Sequence, residues 1–201
     1  MLTTHQRTVN DLFAGQWGLL TTAQAVDRGV SRMQLSRMES AGLLDRVAHG
    51  IYASPAVRGD ELLDLRAAWL SLSPKELVEQ RLTDLASTGV VSHASAARLH
   101  RIGDLIADEH EFLLTRRVQS TRVGLRVRRA RLEEREVTLV AGLPVTTAAR
   151  TIVDLRHIGT DPGLLGDLAA DAARAGLIPR ADSNAPGATA GHVSSSDQRP
   201  G

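Results

Sequence analysis

The sequence predicts an α+β fold, and three observations carry that prediction. Residues 1–57 hold short helical patterns separated by glycine and hydroxyl turn signals. Beyond them, three leucine- and alanine-rich helical stretches give way to period-two runs after Glu111, and two amphipathic helices close the pattern. From Ala181 to Gly201 the chain is Ser, Gly, Ala, Pro and polar groups around the single large apolar residue Val193, too little apolar surface to offset the entropy of ordering. The 201 residues are 42% hydrophobic and 23% charged, near the globular average. The 24 basic and 23 acidic side chains leave a net charge of +1, which excludes a polycation and leaves nucleic-acid binding to local clustering. Only Lys75 is lysine and every other cation is arginine, the better bidentate partner for phosphate, guanine or carboxylate. Cysteine is absent, which excludes disulfides, cysteine metal sites and a thiol nucleophile. The N-terminus lacks the basic-then-apolar order of a signal peptide, and no stretch nears the ~20 apolar residues of a membrane span. A cytoplasmic protein with no membrane partner is expected.

A first helix is expected over Thr4 to Ala14, with Val9, Leu12 and Phe13 inward. Gly18 to Thr21 forms a short extended piece. Thr22 is expected to cap a helix through Arg28 that turns Ala23, Ala25 and Val26 inward, and Gly29 stops it in the left-handed region. Ser31 caps the next helix, to about Ala41, with Leu35 and Met38 facing the core. Leu43 to Val47 and Ile51 to Ala53 flank a hairpin turn at Ala48-His49-Gly50. Ser54-Pro55-Ala56 and Gly59 then mark a boundary between residues 1–57 and a second unit, 58–178, with a disordered tail over 179–201.

In the second unit a helix is expected from Asp60 to about Ser71. Ser73-Pro74 reads as an N-cap with proline at the first helical position, opening a helix to about Ser87. Ser92 caps a short helix over His93 to His100, with Ala94, Ala97 and Leu99 inward. Glu111 to Thr115, Gly124 to Arg131 and Val137 to Val140 read as strands of a small, mainly antiparallel sheet, the third ended by Gly142 and Pro144. Thr146 or Thr147 caps a helix to about His157, and Asp161-Pro162 opens the last, to Ala175.

Helix, helix, tight glycine turn, helix, hairpin is the order of a winged helix-turn-helix. Its second helix enters the major groove while the wing follows the backbone. Thr22 and Gln24 on the first helix of the pair, Ser31, Arg32, Gln34, Ser36 and Arg37 on the second, and Arg46 and His49 on the wing are the candidate DNA contacts. Arginines barely outnumber acids in this stretch, so a protein-docking role remains open on these grounds alone.

Gly18-Leu19-Leu20-Thr21-Thr22-Ala23-Gln24-Ala25, Val30-Ser31-Arg32-Met33-Gln34-Leu35, Ala41-Gly42-Leu43-Leu44 and His49-Gly50-Ile51-Tyr52-Ala53 together resemble the N-terminal domain of the AbiEi antitoxins. The resemblance continues through Val90 to His100, Val127 to Leu132 and Gly142 to Leu155. It implies a DNA-binding antitoxin that represses the promoter of its own operon and counteracts an AbiEii-type nucleotidyltransferase toxin encoded beside it. An adaptor that neutralises the toxin by direct contact, or a stand-alone winged-helix regulator, stays open beside it. The resemblance implies no enzyme, and neither cofactor nor small-molecule substrate is expected.

Two features invite other readings. Ser92, His93, Ser95, His100 and Asp104 suggest a hydrolase, but no nucleophile elbow or oxyanion loop accompanies them. His93 and His100 have no third ligand to make a metal site. Arg122, Arg126 and Arg128 alternate with Val123, Leu125 and Val127, which puts three guanidiniums on one strand face. That face is either a surface for DNA or the toxin, or a solvated one balanced by Glu133, Glu134 and Glu136.

Overall fold

The computed structural model describes residues 3–116 and 124–179. Arg117, Arg122 and Val123, and the expected tail from residue 180 onward, lie outside the described residues.

The first helix, α1 (Thr4–Ala14), buries Val9, Leu12 and Phe13, as its spacing predicts. It is followed by β1 (Leu19–Thr21), α2 (Thr22–Asp27), α3 (Arg32–Ser40), β2 (Asp45–Ala48) and β3 (Ile51–Ala53). One device starts all three helices: a hydroxyl residue at the cap with glutamine three positions on, in Thr3–Gln6, Thr21–Gln24 and Ser31–Gln34. The hydroxyl accepts the glutamine N–H and the glutamine side-chain carbonyl accepts the cap N–H, so each helix start satisfies two backbone donors locally. The cap of α2 is therefore Thr21 rather than the expected Thr22. Gln24 and Ala25 are the buried residues, and Val26 is 48% exposed instead of facing inward. Gly29, at φ +81°, closes the turn to α3 in a conformation that a side chain would oppose.

The small sheet has order β1-β3-β2, all antiparallel, with a bulge between Arg46 and Ala48. Strands β1 and β3 are buried along their whole length, because alternate residues serve different cores. Leu20 and Tyr52 pack with Val9, Leu12, Val30, Leu35 and Met38 under the three helices. Leu19, Ile51 and Ala53 point the other way, into a core with Leu65, Trp69 and Leu72 of α4 (Leu63–Leu72) and Phe112, Leu114, Leu143 and Val145. That second core draws on residues from both sides of Val57.

The remaining elements are α5 (Val78–Arg81), β4 (Val90–Val91), α6 (His93–His100), β5 (His110–Leu114), β6 (Leu125–Arg129), β7 (Val137–Val140), β8 (Leu143–Thr146), α7 (Ala148–His157) and α8 (Pro162–Arg174). The larger sheet has order β6-β5-β4-β8-β7 and is mixed: β4/β8 and β5/β6 are parallel, while β4/β5 and β7/β8 are antiparallel. A third core lies among α6, α7 and α8, around Ile102, Ile152, Leu155, Leu165 and Leu168.

The larger sheet is thus half parallel rather than mainly antiparallel as expected, its central strand β4 lies outside the expected strands, and two further stretches depart from expectation. Instead of a helix from Ser73 to Ser87, only the turn Val78–Arg81 is helical. The Pro74 carbonyl accepts the Thr21 hydroxyl, the Glu76 carbonyl accepts Gln24 Nε2 at 2.7 Å, and Val78 N–H donates to Gln16 Oε1 at 3.3 Å. The side chains of Gln16, Thr21 and Gln24 thus take backbone groups that a helix would have paired internally. Downstream, the buried Arg81 stacks on Trp69 with its guanidinium carbon 3.2 Å from the ring centroid, and it donates to Thr88 O at 2.6 Å, drawing the chain back. The second departure is β8. Ala141 and Gly142 both have positive φ, +50° and +81°, the pattern of a two-residue hairpin turn, so the chain reverses and continues through Pro144 as a strand. Gly142 is tight for a second reason. A Cβ there would lie 2.9 Å from Trp17 Nε1, and Trp17 in turn meets Trp69 edge-on at 5.7 Å. Among the described residues no helix is long and apolar enough to cross a membrane.

Candidate nucleic-acid interface

The core contacts of α3 fix what it shows to solvent. Leu35 and Met38 are buried, so Met33, Ser36, Arg37 and Ser40, spaced i, i+3, i+4 and i+7, form one exposed stripe on the opposite side. Ser31 and Arg32 are exposed at the N-terminal end, where free amides and the helix dipole favour an anion. The wing is attached to α2 through its turn, since Thr22 N–H donates to Gly50 O at 2.8 Å. Thr22 itself is half-buried. Arg46 and His49 are exposed on the hairpin, with Arg46 Nη2 3.5 Å from His49 Nδ1. Asp45, the wing's acid, carries its own cation. A two-bond contact from Arg58, at 2.6 and 2.8 Å, holds its carboxyl below the ordinary carboxylate range.

Both candidate glutamines have structural work. Gln24 is 2% exposed. Its carbonyl accepts from Thr21 N–H and Gln16 Nε2, and its amide donates to Gln16 Oε1 and Glu76 O. That occupies its whole hydrogen-bonding capacity and withdraws it from any DNA surface, a correction to the expectation. Gln34 is half-buried: its carbonyl accepts Ser31 N–H at 2.7 Å and its amide lies 2.9 Å from the His5 ring. It braces α3 against α1 rather than pointing along the exposed stripe. The signal was in the sequence as the repeated hydroxyl-x-x-Gln spacing.

Arg7, Arg28, Arg32, Arg37 and Arg46 are all exposed and none makes an ion pair among the described residues. An exposed helix stripe, a wing and unpaired cations on both make a surface suited to a polyanion with a groove.

Residues 7–55 match the family model of the transcriptional regulators described as AbiEi antitoxin. The match spans most of α1, the helix-turn-helix and the wing, and that family is one of regulators rather than enzymes. No curated protein matches the chain.

Outside the AbiEi-like region, the arginine-rich strand is arranged differently. Leu125 is buried and Val127 packs on the central core, so Arg126 and Arg128 do project from the other face. Each has a carboxylate: Arg126 Nε lies 2.5 Å from Glu109 and Arg128 Nη1 2.7 Å from Glu111. Two of the three acids expected to balance the face are engaged elsewhere, Glu133 with Arg135 and Glu136 with Arg150.

Glu111 also does what Ser92 was expected to do. Its Oε2 accepts Ala94 N–H at 3.0 Å at the start of α6, while Ser92 makes no side-chain cap bond. The hydrolase-like residues do not converge. Ser92 Oγ lies 2.9 Å from His93 Nδ1, but His93 is 3% exposed, and burial, reinforced by the Arg128 charge, holds its pKa below the ordinary histidine value. His100 turns instead to Thr146 O at 2.7 Å.

Proposed function

We propose that this chain is a DNA-binding antitoxin and autorepressor. In this reading α3 enters the major groove of the promoter of its own operon and the wing lies on the backbone. The chain counteracts an AbiEii-type nucleotidyltransferase toxin encoded beside it. It works in the cytoplasm, without cofactor, membrane or small-molecule substrate. The observation that carries the reading is the set of exposed arginines on α3 and the wing that have no carboxylate partner among the described residues. A paired guanidinium must give up an ion pair before it can take a phosphate, whereas an unpaired one exchanges only water and counterions. Ser31, Arg32, Ser36 and Arg37 then meet the groove and its edges, with Thr22, Arg46 and His49 on the flanking backbone. The family match over residues 7–55 supports the same assignment.

The test is titration of the full chain with duplex DNA from upstream of its own reading frame and with a shuffled duplex of the same composition, at two salt concentrations. The proposal expects preference for the upstream duplex by about a thousandfold or more, and weaker binding to both duplexes at higher salt. Equal affinity for the two duplexes overturns sequence-specific repression. Co-expression with the neighbouring nucleotidyltransferase tests the antitoxin part, and unrelieved toxicity overturns it.

A further inference from the structure

Met33 stands at the head of the exposed stripe of α3, one turn before Ser36 and Arg37, and is 62% exposed. Among the described residues no apolar cluster includes it, while Leu35 and Met38 fill the core beneath the helix. A single exposed apolar residue needs no explanation on an ordinary surface. This one lies on a stripe whose other members are two hydroxyls and a guanidinium, in the first turn of the helix, the part that reaches base edges in this geometry. The major-groove edges carry donors and acceptors and one apolar group, the thymine C5 methyl. Methionine, unbranched and polarizable, adapts its shape to such a contact.

We propose that Met33 is a specificity-determining residue that reads a thymine methyl in the major groove, next to the base or phosphate held by Arg37. The inference rests on the DNA-binding reading above and adds to it a base preference at one position of the site.

The experiment starts with duplexes that the full chain selects from a random pool. On one selected duplex each thymine is replaced singly by deoxyuridine, which removes only the methyl group. The wild-type chain and the Met33→Ala and Met33→Leu variants are then titrated with every duplex. At one thymine, uracil is expected to weaken wild-type binding about threefold to fivefold, the worth of one buried methyl. The same replacement is expected to be silent with Met33→Ala and to keep its effect with Met33→Leu, while both variants melt as the wild type does. Uracil that costs nothing at every position, or costs the same with Met33→Ala, overturns the inference and leaves DNA binding standing. A pool from which no duplex is enriched overturns both.

Discussion

Arg32 and Arg37 on α3, and Arg126 and Arg128 on β6, are in each case two arginines close together on one element, yet the fold treats the two pairs in opposite ways. Around α3 the nearest structural demands are met by uncharged groups: Ser31 and Gln34 cap the helix, and Leu35 and Met38 anchor it. Among the described residues no carboxylate pairs with either arginine. On β6 the parallel neighbour β5 brings Glu111 alongside, opposite Arg126 in register, and Glu109 sits just before that strand. Both described arginines of the face are paired. A row of arginines on one face therefore does not define an interface. What separates the regions is whether the neighbouring element brings a carboxylate, and the distinction predicts that partnered side chains govern stability while unpartnered ones govern binding.

The largest effect is expected at Gln24, which with Gln16 is among the most heavily partnered polar side chains of the AbiEi-like region. Gln24→Ala removes the partner of Gln16, of Thr21 N–H and of Glu76 O in a buried site. With several groups left unpaired it should cost about 3 kcal/mol, read as a lower midpoint in urea unfolding. A loss no greater than that of an exposed cap residue, about 1 kcal/mol, would mean that water replaces the missing partners and that Gln24 does not tie α2 to the stretch around Glu76.

How much of this was legible in the sequence depends on how local the cause is. The helices of the AbiEi-like region start at hydroxyl caps and stop at glycines, causes that lie within four residues of their effects. Their limits follow from the sequence to within a residue or two, and so does the burial of Leu35 and Met38. The helix expected from Ser73-Pro74 fails because Gln16, Thr21 and Gln24, more than fifty residues away, take its backbone groups. The same long range hid the pairing of Arg126 and Arg128, which depends on β5 running parallel to β6. Within the candidate interface, the exposure of the arginines and serines is legible from helical spacing. The burial of Gln24 is harder to read, because a glutamine suits adenine as well as it suits a capping box, and only the recurring three-residue offset points to the cap.

Arg128 sharpens the comparison from the other side. It is paired with Glu111, whose side chain is 11% exposed and which also holds the first turn of α6. Arg128→Gln leaves that carboxylate with one backbone donor and no countercharge. It should cost about 2 kcal/mol, less than a fully buried pair because the arginine itself is partly solvated. In a chain of this size the melting temperature falls by about 4–8 °C, and DNA affinity below the melt is unchanged. An intact melt with weakened DNA binding would reverse the roles assigned to the two regions.

On α3 the expected pattern inverts. Arg37→Ala and Arg32→Ala remove exposed, unpaired side chains, so unfolding midpoints should stay within about 0.5 kcal/mol of the wild type. Affinity for the selected duplex should fall by about 1.5 kcal/mol for whichever arginine grips a guanine, with preference relaxed at one position. Full affinity in both variants would remove α3 from the interface.

The smallest effect is expected at Arg126, and it is the one that tests whether ion pairing silences an arginine. Its pair with Glu109 is 2.5 Å long but sits in solvent, with the two side chains 54% and 35% exposed. An exposed pair contributes little because water screens it and two long side chains must be ordered to form it. Arg126→Gln should therefore shift the unfolding midpoint by less than about 0.5 kcal/mol. It should also leave DNA affinity unchanged at low and high salt alike, since the charge it removes is already neutralised by Glu109. The sensitive measurement is the slope of log affinity against log salt, whose magnitude is about 0.9 for each phosphate the protein neutralises. An unchanged slope keeps β6 out of the DNA surface. A slope shallower by one phosphate would show that DNA displaces Glu109 from Arg126, that a weak surface pair does not withdraw its arginine, and that the DNA surface extends beyond the wing onto the second sheet.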